Sequence, residues 1–240
     1  MVLSTEIYQL ILKNKKGQLA ILIDPEKYTL SHLSKLGETI ENTSIDLILV
    51  GSSLSHYNYD EVLTKIRSKT QKPIVIFPGN SLQLSSRADA LLNLSLISGR
   101  NPEYLIGEHV KSALYIQQSK LEVIPTAYIL IDGGVRTSAE YMSHTQCIPA
   151  QKNDIILATA LAGQYLGMKA VYLEAGSGAK QSISPNTIKI LKQQLDIPII
   201  CGGGVRSKAE VEEKWDAGAQ MVVIGTAFEE NPEFLNVFKK

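Results

Sequence analysis

The sequence between positions 168 and 178 is Met168-Lys169-Ala170-Val171-Tyr172-Leu173-Glu174-Ala175-Gly176-Ser177-Gly178. It is a short apolar run followed by one carboxylate and a turn of small residues. The run lies between Gly167 and Gly176, a pattern that predicts a short buried strand. Glu174 is therefore expected where this strand opens into a glycine-rich loop, a place where it can serve as a general base.

Two further glycine turns follow apolar runs later in the chain. Gly202-Gly203-Gly204 comes after residues 197–200, and Gly225-Thr226 comes after residues 221–224. Glycines let the backbone approach phosphate oxygens, and N–H groups at the start of a following helix donate to them. The turns predict a phosphate site beside Glu174. In the alternative, the glycines only relieve crowding and Glu174 pairs with a basic side chain on a neighbouring strand.

Apolar runs of strand length occur eight times along the chain. Several are rich in Ile, Leu and Val without polar alternation, which is typical of parallel strands buried on both faces. Signals for helix starts lie between them, including a capping box from Ser207 to Glu210 and the pair Ser184-Pro185. The alternation favours one α/β domain over residues 1–240, a single (β/α)8 TIM barrel, over a doubly wound open sheet. The eight runs cover residues 19–23, 45–50, 74–77, 92–97, 123–131, 171–173, 197–200 and 221–224.

Residues 154–166 carry their apolar side chains at helical spacing. We expect one side of this helix to face the barrel. That side would consist of Ile155, Ala158, Leu161, Ala162 and Tyr165.

The composition argues against several classes of protein. The 24 basic and 24 acidic side chains balance, so nothing indicates a nucleic-acid surface, and a phosphate would have to be held by local geometry. Cys147 and Cys201 are expected to be reduced, which favours a cytoplasmic location. The first residues lack the pattern of a signal peptide, and the apolar runs are too short to span a bilayer. We therefore expect a soluble protein without an integral membrane segment.

Polar residues also follow the first two strands of the predicted barrel. Asp24 ends the first, and Gly51-Ser52-Ser53 ends the second, at the barrel end where chemistry gathers. Magnesium prefers hard oxygen ligands and takes few of them from the protein. Asp24 and Ser53 are therefore candidate Mg²⁺ contacts, with simple helix capping as the alternative for Asp24. The turn Asp132-Gly133-Gly134 is assigned a structural or substrate-entrance role.

Together these motifs resemble the geranylgeranylglyceryl phosphate synthase family, which includes the bacterial heptaprenylglyceryl phosphate synthases. The resemblance covers the full chain in order, and its first and third motifs are the specific ones. In chain order, the motifs are Asp24-Pro25-Glu26-Lys27, Gly51-Ser52-Ser53, Tyr172-Leu173-Glu174-Ala175-Gly176-Ser177-Gly178, Gly202-Gly203-Gly204-Val205-Arg206 and Gly225-Thr226.

The resemblance implies a prenyltransferase that joins the C3 hydroxyl of sn-glycerol 1-phosphate to geranylgeranyl diphosphate in ether-lipid biosynthesis. Asp24 and Ser53 would contact Mg²⁺, and Glu174 would orient or deprotonate the hydroxyl. A homo-oligomer is also expected. Family members often carry a glycine where this chain has Ser52, whose side chain would narrow the diphosphate side. By matching motif, glycerol phosphate would be surrounded by Tyr172, Leu173, Glu174, Ala175, Gly176, Ser177, Gly178, Gly203, Gly204, Gly225 and Thr226.

Three alternatives stay open at this point. The donor could be the longer heptaprenyl diphosphate, although a bulky Tyr104 after the fourth strand is expected to limit the tail to about twenty carbons. A phosphosugar isomerase would also use Asp24 and the glycine turns, with Asp132 as its second acid. A barrel that binds phosphate without catalysis would serve as an assembly subunit.

Overall fold

The structure, a computed structural model, describes residues 6–13 and 17–239. Eight parallel strands form one closed barrel in chain order, and the last strand pairs with the first. The prediction of a (β/α)8 barrel is confirmed, and the open doubly wound sheet is wrong. The strands are β1 (Gln18–Ile23), β2 (Leu47–Val50), β3 (Ile74–Ile76), β4 (Ala90–Leu96), β5 (Glu122–Leu130), β6 (Ala170–Glu174), β7 (Ile199–Gly202) and β8 (Met221–Ile224).

Helices cover the outside of the barrel, as the buried strands require. Ser184 and Ser207 cap their helices as predicted, each accepting a hydrogen bond from a backbone N–H of the first turn. The predicted capping box is incomplete, because Glu210 Oε2 accepts from Arg206 N–H at 2.7 Å and not from Ser207 N–H. A π-helical turn (Glu103–Gly107) leads into the fourth helix. In the described part of the chain, the α-helices are α1 (Glu6–Lys13), α2 (Leu30–Glu41), α3 (Tyr59–Arg67), α4 (Glu108–Ser119), α5 (Ser138–Ser143), α6 (Asn153–Tyr165), α7 (Pro185–Lys192), α8 (Lys208–Ala217) and α9 (Thr226–Glu230).

Pro125 lies inside β5 without breaking it. Its carbonyl accepts a hydrogen bond from Lys169 N–H at 2.8 Å, on the side of the strand that faces β6. In a parallel strand the N–H and the carbonyl of one residue point to the same side. An N–H at position 125 would therefore face the residues just before Ala170, the first residue of β6. No hydrogen bond between the two strands is lost, so the proline is tolerated at this position.

The predicted inner face of α6 is wrong. Ile155 and Tyr165 are exposed, and the buried positions are Ile156, Ala160 and Gly163. The reason is steric: a Cβ atom at Gly163 would lie 2.6 Å from the Ala127 side chain in β5. Small residues allow the helix to pack closely on the strand, and hydropathy alone did not distinguish that face from the other.

Helix α1 closes the N-terminal end of the barrel. Ile7 and Ile11 are buried against the side chains of the barrel interior. The carboxylate of Glu122, at the start of β5, accepts hydrogen bonds from Ile7 N–H (2.8 Å) and Tyr8 N–H (2.9 Å). These are N–H groups of the first helical turn, which have no partner within their own helix. The barrel is therefore closed at this end and open at the other.

Alternation along β6 decides which of its side chains reach the open end. Leu173 packs outward in the layer between barrel and helices, whereas Tyr172 belongs to the cluster inside the barrel. The Tyr172 ring lies 4.9 Å from Phe77 and 5.6 Å from Tyr128, between ring centroids. Glu174 is two residues beyond Tyr172, on the same face. It therefore stands above an aromatic floor.

Candidate active site

A cavity of about 850 Å³ occupies the open end of the barrel, where the carboxyl ends of the strands converge. Most residues that the motifs predicted reach it. Leu173, Ala175 and Gly178 are not among its lining residues, although Gly178 N–H donates to Thr226 Oγ1 at 3.2 Å. The predicted site residues that line the cavity are Asp24, Ser53, Tyr172, Glu174, Gly176, Ser177, Gly203, Gly204, Gly225 and Thr226.

Glu174 is held in a fixed orientation at the end of β6. Its side chain lies in the cavity wall with 7% of the residue exposed, and Oε1 accepts a hydrogen bond from Gly176 N–H at 2.6 Å. Burial raises the pKa of Glu174 to about 7, and hydrogen bonds from Gly176 N–H and the Tyr172 hydroxyl limit the rise. A carboxylate with this pKa is suited to accept a proton near neutral pH.

The first glycine turn packs directly on the Glu174 turn. A Cβ atom at Gly203 would lie 2.6 Å from Gly176 N and 2.7 Å from Glu174 Oε1, and the φ angle of Gly203 is +84°. Any other residue would be strained and would also push the carboxylate away. Gly203 therefore fixes the distance between the predicted phosphate site and the predicted base.

The second glycine turn joins β8 to α9. The first intrahelical donor there is Phe228 N–H, which bonds to Gly225 O at 2.9 Å. The N–H groups of Thr226 and Ala227, the two residues before Phe228, have no partner within the helix. Thr226 also shares a hydrogen bond between hydroxyls with Ser177 at 3.2 Å. This contact ties the β6 and β8 turns into one polar wall.

Asp24 and Ser53 both line the cavity, at the ends of β1 and β2. Asp24 Oδ1 accepts a hydrogen bond from Glu26 N–H at 3.0 Å, so the aspartate caps the short 3₁₀ turn Pro25–Lys27. Capping uses one oxygen and leaves the other for a second contact. No cluster of three or more His, Cys, Asp or Glu side chains suited to a metal occurs in residues 6–13 and 17–239. One carboxylate and one hydroxyl nonetheless fit Mg²⁺, which retains water and substrate oxygens as its other ligands.

Gln83 is a buried residue that no sequence motif identified. Its Oε1 accepts hydrogen bonds from Ser52 N–H (3.3 Å) and Gly79 N–H (2.9 Å), and its Nε2 donates to Ser52 O (2.8 Å). The Ser52 hydroxyl donates to Leu54 O at 2.9 Å. The amide of Gln83 thus holds the loops after β2 and β3 together and orients the segment that carries Ser53.

An ion pair between Lys27 and Glu229 also bridges the site. Both residues line the cavity, and they connect the turn after β1 to helix α9. Because β1 and β8 are neighbours in the barrel, the pair closes the seam between the first and the last strand. Charges 202 residues apart in sequence give no local signal, so sequence reasoning missed this contact.

The wall formed by β4 and the start of α4 carries both apolar and polar side chains, the polar ones being Asn93, Glu108, His109 and Ser112. Leu91, Leu94 and Leu96 of β4 line it, together with Tyr104 of the π-helical turn. The Tyr104 hydroxyl donates to Met142 O at 3.2 Å, which fixes the ring near α5. The cavity therefore has the glycine turns on its β6 to β8 side and a mixed wall with three leucines and Tyr104 on its β4 side.

Asp132 does not reach the cavity. It is exposed, and its Oδ1 accepts a hydrogen bond from Gly134 N–H at 2.8 Å in the turn after β5. A Cβ atom at Gly133 would lie 2.3 Å from Ala175 O, so this turn supports the Glu174 loop from outside. Of the structural and substrate-entrance roles expected for residues 132–134, this geometry supports the structural one. Asp132, the second acid assigned to an isomerase, is not among the residues that line the cavity.

The chain is similar to known proteins over most of its length. The model of the PcrB family matches residues 11–240. The chain is 44% identical over 236 residues to geranylgeranylglyceryl phosphate synthase of Flavobacterium johnsoniae, with 97% of each chain covered. It is 39% identical over 217 residues to the enzyme of that name from Pyrococcus furiosus, covering 90% of this chain and 86% of the other.

A solved structure shares the fold over almost its full length. It is (S)-3-O-geranylgeranylglyceryl phosphate synthase from Thermoplasma acidophilum in complex with sn-glycerol-1-phosphate, with a TM-score of 0.90 and 33% identity over 99% of this chain and 96% of that one. The resemblance inferred from the sequence motifs is confirmed. With the family model spanning nearly the whole chain, the protein belongs to the PcrB family.

Proposed function

We propose that the protein transfers a geranylgeranyl group from its diphosphate to the C3 hydroxyl of sn-glycerol 1-phosphate. The oxygen on C3 forms an ether bond with C1 of the prenyl chain, the bond from C1 to the diphosphate breaks, and pyrophosphate leaves with the electron pair. The observation that carries this proposal is Glu174, a buried carboxyl with a pKa of about 7 in the wall of a cavity that has glycine turns on one side and leucine side chains with Tyr104 on the other. The names of the relatives support it.

Glu174 takes the proton of the C3 hydroxyl. Near neutral pH a substantial fraction of the carboxyl is ionised, which a general base requires. Oε1 is held by Gly176 N–H, so Oε2 is the oxygen assigned to the substrate hydroxyl. The rigid turn keeps this oxygen in place and reduces the entropy lost when the reacting groups are aligned.

The phosphate of glycerol phosphate is assigned to the polar wall between Gly203 and Thr226. Backbone donors at the start of α9 and close backbone approach at the glycine turns suit an oxyanion. The related barrel from Thermoplasma acidophilum, which was solved in complex with sn-glycerol-1-phosphate, supports the choice of ligand. Because Gly203 touches both the Gly176 turn and Glu174, a phosphate bound there brings the C3 hydroxyl towards the base.

Asp24 and Ser53 are assigned to Mg²⁺ on the β1 and β2 side of the cavity. The chemistry of this donor set, one free carboxylate oxygen and one hydroxyl, fits a hard cation that also takes diphosphate oxygens. Bound there, the ion would neutralise negative charge on the leaving diphosphate. The role of Gln83 is then to orient the loop that carries Ser53.

The prenyl tail is assigned to the leucine side chains of β4 and to Tyr104, the apolar part of the wall at β4 and α4. Tyr104 projects into this region, and its size is the reason to propose geranylgeranyl diphosphate as donor, with heptaprenyl diphosphate as the alternative. We also propose that the protein acts in the cytoplasm and as a homo-oligomer. No helix in residues 6–13 and 17–239 is long and apolar enough to cross a membrane.

Incubation with labelled sn-glycerol 1-phosphate, Mg²⁺ and a series of prenyl diphosphates tests the proposal. The expected products are a prenyl ether of glycerol phosphate and pyrophosphate, with the highest rate for the C20 donor. A highest rate with the C35 donor would favour heptaprenyl transfer. Binding of glycerol phosphate without product from any donor would refute transfer and favour a non-catalytic barrel.

A further inference from the structure

The side chain of Lys214 is buried near the site without a role in the proposed reaction. It lies in α8, 2% of the residue is exposed, and Nζ donates a hydrogen bond to Ser182 Oγ at 2.9 Å. Within residues 6–13 and 17–239 the ion pairs are formed by other side chains. A buried charge is costly unless an opposite charge accompanies it. Lys214 therefore has no ion-pair partner among the described residues, and an anion nearby would stabilise its charge.

The amine lies behind the first glycine turn. Burial raises the pKa of the Cys201 thiol to about 12, and the charge of Lys214 opposes this rise. Cys201 is the residue before Gly202, where the turn begins. The field of Lys214 thus reaches the backbone that forms the floor of the phosphate site, through protein interior where screening by solvent is weak.

The hydroxyl partner of Lys214 also belongs to this region. A Cβ atom at Gly204 would lie 2.9 Å from both Ser182 N and Gln181 O. The segment 181–182 is therefore the surface on which Gly204 rests, and the bond from Lys214 to Ser182 fixes it. Two of the other cations that line the cavity are already engaged: Lys27 pairs with Glu229, and Arg206 donates to Ala179 O at 2.7 Å.

We propose that Lys214 is a positioning residue whose charge holds the phosphate of glycerol phosphate from behind the turn at residues 202–204. The inference rests on the proposed function, because the anion that would stabilise this charge is the substrate's phosphate. Lys214 does not touch the substrate. It strengthens binding of an anion in the cradle and leaves both proton transfer to Glu174 and binding of the prenyl diphosphate unchanged.

Comparison of Lys214→Met with Ser182→Ala tests the charge separately from the hydrogen bond. Lys214→Met should raise the KM for sn-glycerol 1-phosphate and the inhibition constant of inorganic phosphate by the same factor, about tenfold, which corresponds to about 1.4 kcal/mol. In Lys214→Met, the kcat and the KM for the prenyl diphosphate should each change by less than about twofold. Ser182→Ala keeps the charge and should raise the KM for glycerol phosphate much less. Equal effects of the two variants, or an unchanged KM in folded Lys214→Met, would overturn the proposal.

Calorimetric titration with inorganic phosphate makes the result independent of turnover. If wild type binds phosphate and Lys214→Met binds it about tenfold more weakly, the charge effect stands even where no prenyl ether is formed, and only the proposed function fails. If both bind phosphate equally while wild type forms the ether, the role of Lys214 is refuted and the proposed function stands. Lys214→Gln, which keeps a polar group beside Ser182, replaces the methionine variant if that does not fold.

Discussion

Replacing Glu174 with glutamine should weaken catalysis and strengthen the fold at the same time. The pKa of about 7, against the ordinary 4.5, corresponds to about 3 kcal/mol in favour of the protonated carboxyl, at about 1.4 kcal/mol per pH unit. Below pH 4.5 the group is protonated in both folded and unfolded protein and costs nothing. Above pH 7 the folded protein carries a buried charge, so the wild type loses stability as pH rises through this window.

Glu174→Gln keeps the shape of the side chain, and its Oε1 can still accept from Gly176 N–H. The variant removes the proton acceptor, so turnover should fall by about a hundredfold or more. Its free energy of unfolding should equal that of the wild type near pH 4 and exceed it by up to about 3 kcal/mol at pH 8. Urea unfolding at both pH values and turnover at pH 8 measure these effects. Binding of glycerol phosphate should change far less.

The wild-type pH profile supplies the second half of the test. Turnover should rise with pH through about 7 as Glu174 ionises, and then level off. Tyr172→Phe removes the hydroxyl that stabilises the ionised form, so it should move the midpoint to higher pH. A flat profile between pH 6 and 8, together with near-wild-type turnover in Glu174→Gln, would refute the assignment of Glu174 as base.

Three further predictions concern the rest of the cavity. Asp24→Asn should raise the Mg²⁺ concentration needed for half-maximal activity and lower turnover, and excess EDTA should abolish wild-type activity; full activity in EDTA would contradict the metal assignment. A Cβ atom at Gly225 would have its nearest contact, Leu22 O, at 3.7 Å, so Gly225→Val should fold and raise the KM for glycerol phosphate more than that for the prenyl diphosphate. Equal increases would argue against this division of the cavity. Tyr104→Ala should accept longer donors in product analysis, and an unchanged donor profile would remove Tyr104 from the groove.

Much of the site was predictable because the barrel places strand ends together whatever their sequence separation. Once eight strands and their glycine turns were recognised, Asp24, Glu174 and Gly203 had to meet at one end. The errors concern features that local patterns do not encode. The inner face of α6 was wrong because close packing at Gly163, and not hydropathy, selects it.

The sequence by itself determined the order of strands and helices, the glycine turns and the family, since each depends on residues that are neighbours in the chain. Only the tertiary structure decided the environment of each group. Burial in the cavity wall gives Glu174 its raised pKa, and packing places the buried amine of Lys214 beside Ser182. Gln83, in the loop after β3, binds the loop after β2 at Ser52, about thirty residues earlier in the chain, and no local pattern signals this contact. Desolvation and contact are properties of the folded chain, because they depend on atoms that sequence spacing does not bring together.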